Sequence, residues 1–206
     1  MTTQTITGLY DTYDDAAQTV RDLAAAGVPD ADISVVANNV DNRHVLKEES
    51  SATPVFETGA VIGMAAGGGA GLLAGLGLLA IPGVGPVVAA GWLVATAVGA
   101  GAGAGAGAAT GGVIGSLTSA GVSREHAHIY AEGVRRGGTL VTARVEEPRV
   151  AVVEEIMRRH RSVDPDTRGR TYRAAGWTAF DDASPPYTAS ELEQERERTR
   201  NLTPIV

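Results

Sequence analysis

Apolar and polar positions alternate through Thr5–Tyr10, "TITGLY", and β-branched residues are frequent there, so a short strand is predicted. Thr12 followed by Asp15 has capping-box-like spacing, and Asp14 and Asp15 suit a helix N-terminus. Ala16, Val20, Leu23 and Ala24 then share a helical face; Gly27 ends the helix, with Pro29 just beyond. "DISVVAN" reads as a second strand. After a long interruption the pattern resumes. Ser123 is placed to cap a helix through "REHAHIYAEGVRR" that stops at Gly137 and Gly138. "TLVTARV" is a strand, Pro148 suits a first helical turn, and Val153, Ile156, Met157 and His160 follow helical spacing. "SVDPD" has the look of a last short strand.

The interruption is of another kind. From Gly59 to Val122 no side chain carries a charge. Glycine recurs every fourth residue at Gly59, Gly63, Gly67, Gly71 and Gly75, and again at Gly99, Gly103, Gly107, Gly111 and Gly115. Residues four apart share one side of a helix, so each series predicts a groove free of side chains, where another backbone can approach closely. Between the two arms Pro82, Gly83, Gly85 and Pro86 supply turn chemistry. The expectation is a glycine-zipper helical hairpin over residues 59–122. Silk-like β structure and disorder are the competing readings; Ile, Leu, Val and Trp92 do not alternate, which weighs against silk.

These patterns divide the chain into a first half of an α+β domain at 1–45, a linker at 46–58, the hairpin at 59–122, a second half at 123–166 and a tail at 167–206. "LAAAGVPDADISV" and "LTSAGVSREHAHIY" both set Ala-Gly-Val before a polar stretch and an isoleucine. Two βαβ-like halves predict an α+β, ferredoxin-like split βαβ sandwich interrupted by the hairpin, with a short helix in the C-terminal tail.

Glycine-rich helices need surroundings that leave no backbone group unpaired. A bilayer is one such setting: the first arm, Gly59 to Ile81, would be about 34 Å long at ~1.5 Å per residue, against a ~30 Å hydrocarbon core. Trp92 is then an interfacial anchor or simply packing. Arg43 and Lys47 precede the first arm beside Glu48, Glu49 and Glu57, so the flanking charges are mixed there; Arg124, Arg135 and Arg136 follow the second arm, and the arginines lean the side that holds both termini toward the cytoplasm. The alternative is a soluble cytoplasmic homo-oligomer whose hairpins share an apolar core; the weak hydrophobicity of the Gly-Ala stretch speaks for it. No signal peptide is read at "MTTQTITGLY".

Composition removes whole classes of chemistry. Net charge is -7, which argues against nucleic acid as a partner, and the absence of cysteine removes disulfides and thiolate sites. His126 and His128 lie on different sides of a helix, while His44 and His160 stand apart; structural histidines are expected and no metal site. "GAGLLAG" and "GVGPVVAAG" lack the lysine and strand-turn-helix context of nucleotide loops. No catalytic constellation, cofactor or metal is read, so the chain is expected not to be an enzyme; a small-ligand-binding ferredoxin-like module is a third possibility. In the tail, Ser190 with Glu193 has capping-box spacing, and Glu193–Arg196, Glu195–Arg198 and Glu197–Arg200 are i,i+3 pairs. Trp177, Phe180 and Tyr187 are candidate anchors for docking on another subunit or a further protein.

"ITGLYDTYDDAAQTVRDLAAAGVPDADISVVA", "LAIPGVGPVVAAG" and "IYAEGVRRGGTLVTARV", in that order, resemble the bacterial general stress proteins of the seventeen-M type, whose N-terminal part is the heat-induced stress protein domain. The resemblance spans roughly residues 5–165. It implies a stress-induced protein with a Gly-rich hydrophobic centre, often taken as membrane-spanning, and it supplies no catalytic residues. The tail lies outside it.

Overall fold

A computed structural model describes residues 2–41, 77–94, 96 and 112–202. In chain order the elements are β1 (Thr3–Tyr10), α1 (Tyr13–Ala25), β2 (Ile33–Asn38), β3 (Gly77–Ile81), β4 (Gly85–Gly91), α2 (Gly112–Ser119), α3 (Arg124–Arg135), β5 (Thr139–Glu146), α4 (Val150–Arg159), α5 (Pro165–Ala174) and α6 (Ala189–Leu202).

The helix boundaries come from local chemistry. Thr12 accepts the Asp15 N–H at 3.1 Å to start α1, and Ser123 accepts the His126 N–H at 3.2 Å to start α3. At the end of α1 the Val28 N–H reaches the Leu23 carbonyl, with Gly27 at φ 83°. The end of α2 repeats it: the Val122 N–H reaches the Leu117 carbonyl, with Gly121 at φ 93°. Both are Schellman caps, which need a left-handed residue that glycine supplies without a Cβ penalty. The Ala-Gly-Val echo is therefore a shared way of ending a helix. The continuations differ, since the first cap leads into β2 and the second into α3.

The strands form one five-stranded sheet in the order β1-β5-β2-β4-β3, and every neighbouring pair is antiparallel. A mixed helix-and-sheet architecture was expected, and the sheet contains two split βαβ units: β1-α1-β2 straddles β5, and β4 through α3 to β5 straddles β2. Two points of the ferredoxin-like expectation are corrected. In that fold the first strand of each half lies inside the sheet with the second at an edge; here the first strand β1 is at an edge, while β5, β2 and β4 all lie inside. Helices also cover both faces. On one face α1 and α4 bury Val20, Leu23, Val153, Ile156 and Met157 against Ile33, Val35, Val88, Val141 and Ala143. On the other, α2 and α3 bury Val113, Leu117, Ala127, Tyr130 and Val134 against Leu9, Val36, Val87, Ala89 and Leu140. Being covered on both sides explains why every residue of β2, "ISVVAN", is buried, with no polar alternation. The short strand expected at "SVDPD" is a single bridge, Leu9 with Val163.

The helical hairpin needs a larger correction. Between Gly77 and Gly91 the chain is a β-hairpin, so the end of the first arm and the start of the second are strands. A turn does fall at Pro82–Val84. The Val84 N–H bonds the Ile81 carbonyl at 3.1 Å and Gly83 has φ 72°, so Pro82 and Gly83 occupy the central positions that a type II turn assigns to them. Neither glycine series enters residues 77–91, where Ile81, Val84, Val87 and Val88 favour extended chain, and pairing with β2 decides the matter. Gly91 seals that pairing at φ 96°, because a Cβ there would lie 2.2 Å from the Ile33 carbonyl oxygen. Gly59, Gly63, Gly67, Gly71, Gly75, Gly99, Gly103, Gly107 and Gly111 lie outside the described residues. Gly115 sits in α2, where a Cβ would meet nothing within 4 Å.

Candidate functional site

The densest polar arrangement lies where the C-terminal segment crosses the end of α3 and the β3–β4 turn. The last turn of α3 supplies Glu132, Arg135 and Arg136, and Glu132 is 1% exposed. The Arg136 Nε donates to Glu132 Oε1 at 2.7 Å, one helical turn back, and its Nη1 donates to Glu195 Oε2 of α6 at 3.1 Å. The same guanidinium lies 4.4 Å from the Tyr172 ring centre and 6.0 Å from that of Tyr187. Arg135 donates to the Pro185 carbonyl at 3.0 Å and covers the Tyr187 ring at 5.0 Å. Arg136 thus links α3, α5 and α6.

Burial alone would lower the Arg136 pKa; the hydrogen bond it donates to Glu132 and the charges of Glu132 and Glu195 outweigh it and hold the guanidinium above its usual range. Burial pushes the Tyr172 and Tyr187 phenols up, so they stay neutral as faces for the arginines. Around this centre the rest of the tail is seated. Leu192 is fully buried, and Arg196 pairs with Asp41 beyond β2. Residues Phe180 to Asp182 press on Gly83, where a Cβ would lie 2.7 Å from the Asp182 Cα, and Pro186 presses on Gly85.

Phe180 and Tyr187 pack within their own chain, and Trp177 meets the Tyr172 ring edge-on at 5.7 Å, so all three aromatics have intramolecular partners. Pro82, Gly83, Gly85 and Pro86 form the turn region beneath the tail. Trp92 donates to the Asp32 carbonyl at 3.1 Å under the Arg144 guanidinium, which fastens β4 to the start of β2 and β5. The helix α6 is capped by Thr188 and Glu191, whose carboxylate accepts the Thr188 N–H at 2.8 Å, two residues before the expected Ser190–Glu193 box. Of the expected tail pairs, Glu195–Arg198 forms at 2.6 Å, and Arg196 pairs with Asp41. His126 meets Asp166 at 3.0 Å and His160 meets Asp22 at 2.8 Å. Among the described residues, no group of three His, Asp or Glu side chains is arranged to hold a metal ion.

Sequence reasoning missed Glu132, Arg135 and Arg136 as a centre. The visible signal was the i,i+4 spacing of Glu132 and Arg136, but partners 36 to 59 positions away in the chain carry no local trace.

In this arrangement Glu132 pairs with Arg135 and Arg136, and Arg136 pairs with Glu195, while Glu132 Oε2 and Arg135 Nε are buried without a hydrogen bond. Residues 5–81 match the family model described as the heat induced stress protein YflT domain. The resemblance to the general stress proteins therefore holds over β1, α1, β2 and β3 and the chain between them. No curated protein and no solved structure matches the chain.

Proposed function

We propose that this stress-domain protein acts by self-association and not by catalysis, with its uncharged Gly/Ala-rich stretches as the associating surfaces. One observation carries the reading: the middle of the uncharged stretch is part of the folded body. Val84, Val87, Val88, Ala90 and Leu93 are buried, and β3 and β4 complete the sheet. The chain therefore enters this hairpin at Gly77 and leaves beyond Gly91 at one end of the sheet, since the turn lies at the other. In the sequence a glycine series precedes this hairpin and another follows it, so a copy that presents one series to a second copy has the other in the same chain to offer as well. The soluble homo-oligomer is the reading that this geometry favours. Insertion in lipid rests on the composition of the undescribed stretches, and among the described residues no helix is long and apolar enough to cross a membrane.

The experiment is to replace Gly67 and Gly107 with leucine and to measure the mass of the full chain in detergent-free buffer. The expected result is an assembly for the natural sequence and a shift toward monomer for the double variant. Unchanged assembly in the variant would rule out the glycine faces as the associating surfaces.

A further inference from the structure

We propose that the outer edge of β3 is a homodimerisation surface, at which two copies pair antiparallel and join their sheets. This surface is distinct from the glycine series. The ladder between β3 and β4 fixes which groups are free. The Asn39 N–H donates to the Pro86 carbonyl at 2.9 Å, so Pro86 turns its polar group toward the β2 side. Ala80 is the Cα partner of Pro86, which has no N–H, so these two residues form a non-hydrogen-bonded pair. By alternation Leu79 bonds Val87, while Leu78 and Ala80 direct their N–H and C=O away from β4. No described strand lies on that side.

Nothing in this edge opposes pairing. Native edge strands are commonly blunted by charge, proline or a bulge. No residue from Gly77 to Thr96 is charged, in a chain of net charge -7, and Pro82 interrupts only the turn end. Two β3 edges can therefore meet without setting carboxylate against carboxylate. The partner is a second copy because the edge is complementary to itself. An antiparallel dyad at Leu79 sets Leu78 opposite Ala80 of the other copy, and each such pair exchanges both of its N–H···O bonds. At the other edge of the sheet the last turn of β1 is occupied, since the Leu9 carbonyl already accepts the Val163 N–H at 2.7 Å. The turn itself is held beneath Phe180, Asp182 and Pro186, so the edge is offered in one conformation.

The test is sedimentation of the full chain across a concentration series, comparing the natural sequence, Ala80→Pro and Ala80→Ser. Proline removes the outward N–H and leaves the β4 ladder intact, as it does on natural edge strands. Ala80→Pro is expected to weaken dimerisation about tenfold or more, which is the loss of roughly 1.4 kcal/mol; Ala80→Ser is expected to leave it unchanged. A folded Ala80→Pro protein that dimerises like the natural one overturns the proposal. If that variant does not fold, hydrogen exchange of the natural chain decides instead: protection at Leu78 and Ala80 must rise with concentration while Leu79 stays constant, and flat protection overturns the proposal. Gly67→Leu with Gly107→Leu, run alongside, separates the two surfaces. Assembly lost there but retained in Ala80→Pro rejects the edge and keeps the glycine reading; the reverse supports the edge and rejects the glycine reading.

Discussion

Arg136 touches three parts of the chain, and its surroundings set the cost of losing it. Its side chain is 16% exposed and that of Glu132 is 1% exposed, so replacing Arg136 by alanine leaves a carboxylate buried without its main partner. Removing one member of a buried pair costs about 3 kcal/mol or more. Arg136→Ala is expected to lower the unfolding free energy by about that amount in a denaturant titration, and a loss below about 1 kcal/mol would show that Arg135 satisfies Glu132 alone. Little of this was legible. The Glu132–Arg136 spacing is local and readable, but Tyr172, Tyr187 and Glu195 are brought to it by the path of the tail. Capping residues are the opposite case. Thr12 and Ser123 act on N–H groups three positions away, so their roles can be read from the sequence alone.

At the scale of elements, helices with caps and an apolar face were legible and strand pairing was not. The helices α1, α3 and α4 carry their apolar face and their ends within one stretch of chain. The strand order instead depends on which edges meet, and β2 and β5 take the centre because both faces can be buried there. The hairpin of β3 and β4 was missed because the glycine periodicity on either side was extended across residues that do not share it. The tail was missed for a similar reason: its aromatics signalled docking, but not that the dock is on the same chain. Truncation after Ala174 tests that role. It removes Phe180, Pro186, Leu192 and Glu195 from the turn and from α3, so amide exchange at Val84, bonded to Ile81, is expected to quicken while exchange in β5 stays slow. Unchanged exchange at Val84 would mean that the hairpin holds itself.

The whole molecule combines a sheet covered on both faces with an uncharged stretch whose middle is built into it. Its buried phenols predict how it responds to alkali. Burial holds Tyr130 up at about 12 and raises Tyr10 and Tyr172 as well, against an unfolded value of about 10. Above pH ~10 the unfolded chain loses protons that the folded chain keeps, so this stability is complete below pH ~10 and is lost as pH rises through about 12. The midpoint of thermal unfolding is expected to fall steeply above pH ~10, and Tyr130→Phe to make that fall shallower; equal slopes for both proteins would refute the assignment. The central claim concerns association. The most direct measurement is the mass of the full chain, in detergent-free buffer, over a wide range of concentration. Self-association predicts particles heavier than the 21.0 kDa monomer that persist on dilution until the surfaces separate. A 21.0 kDa species at every concentration would contradict it.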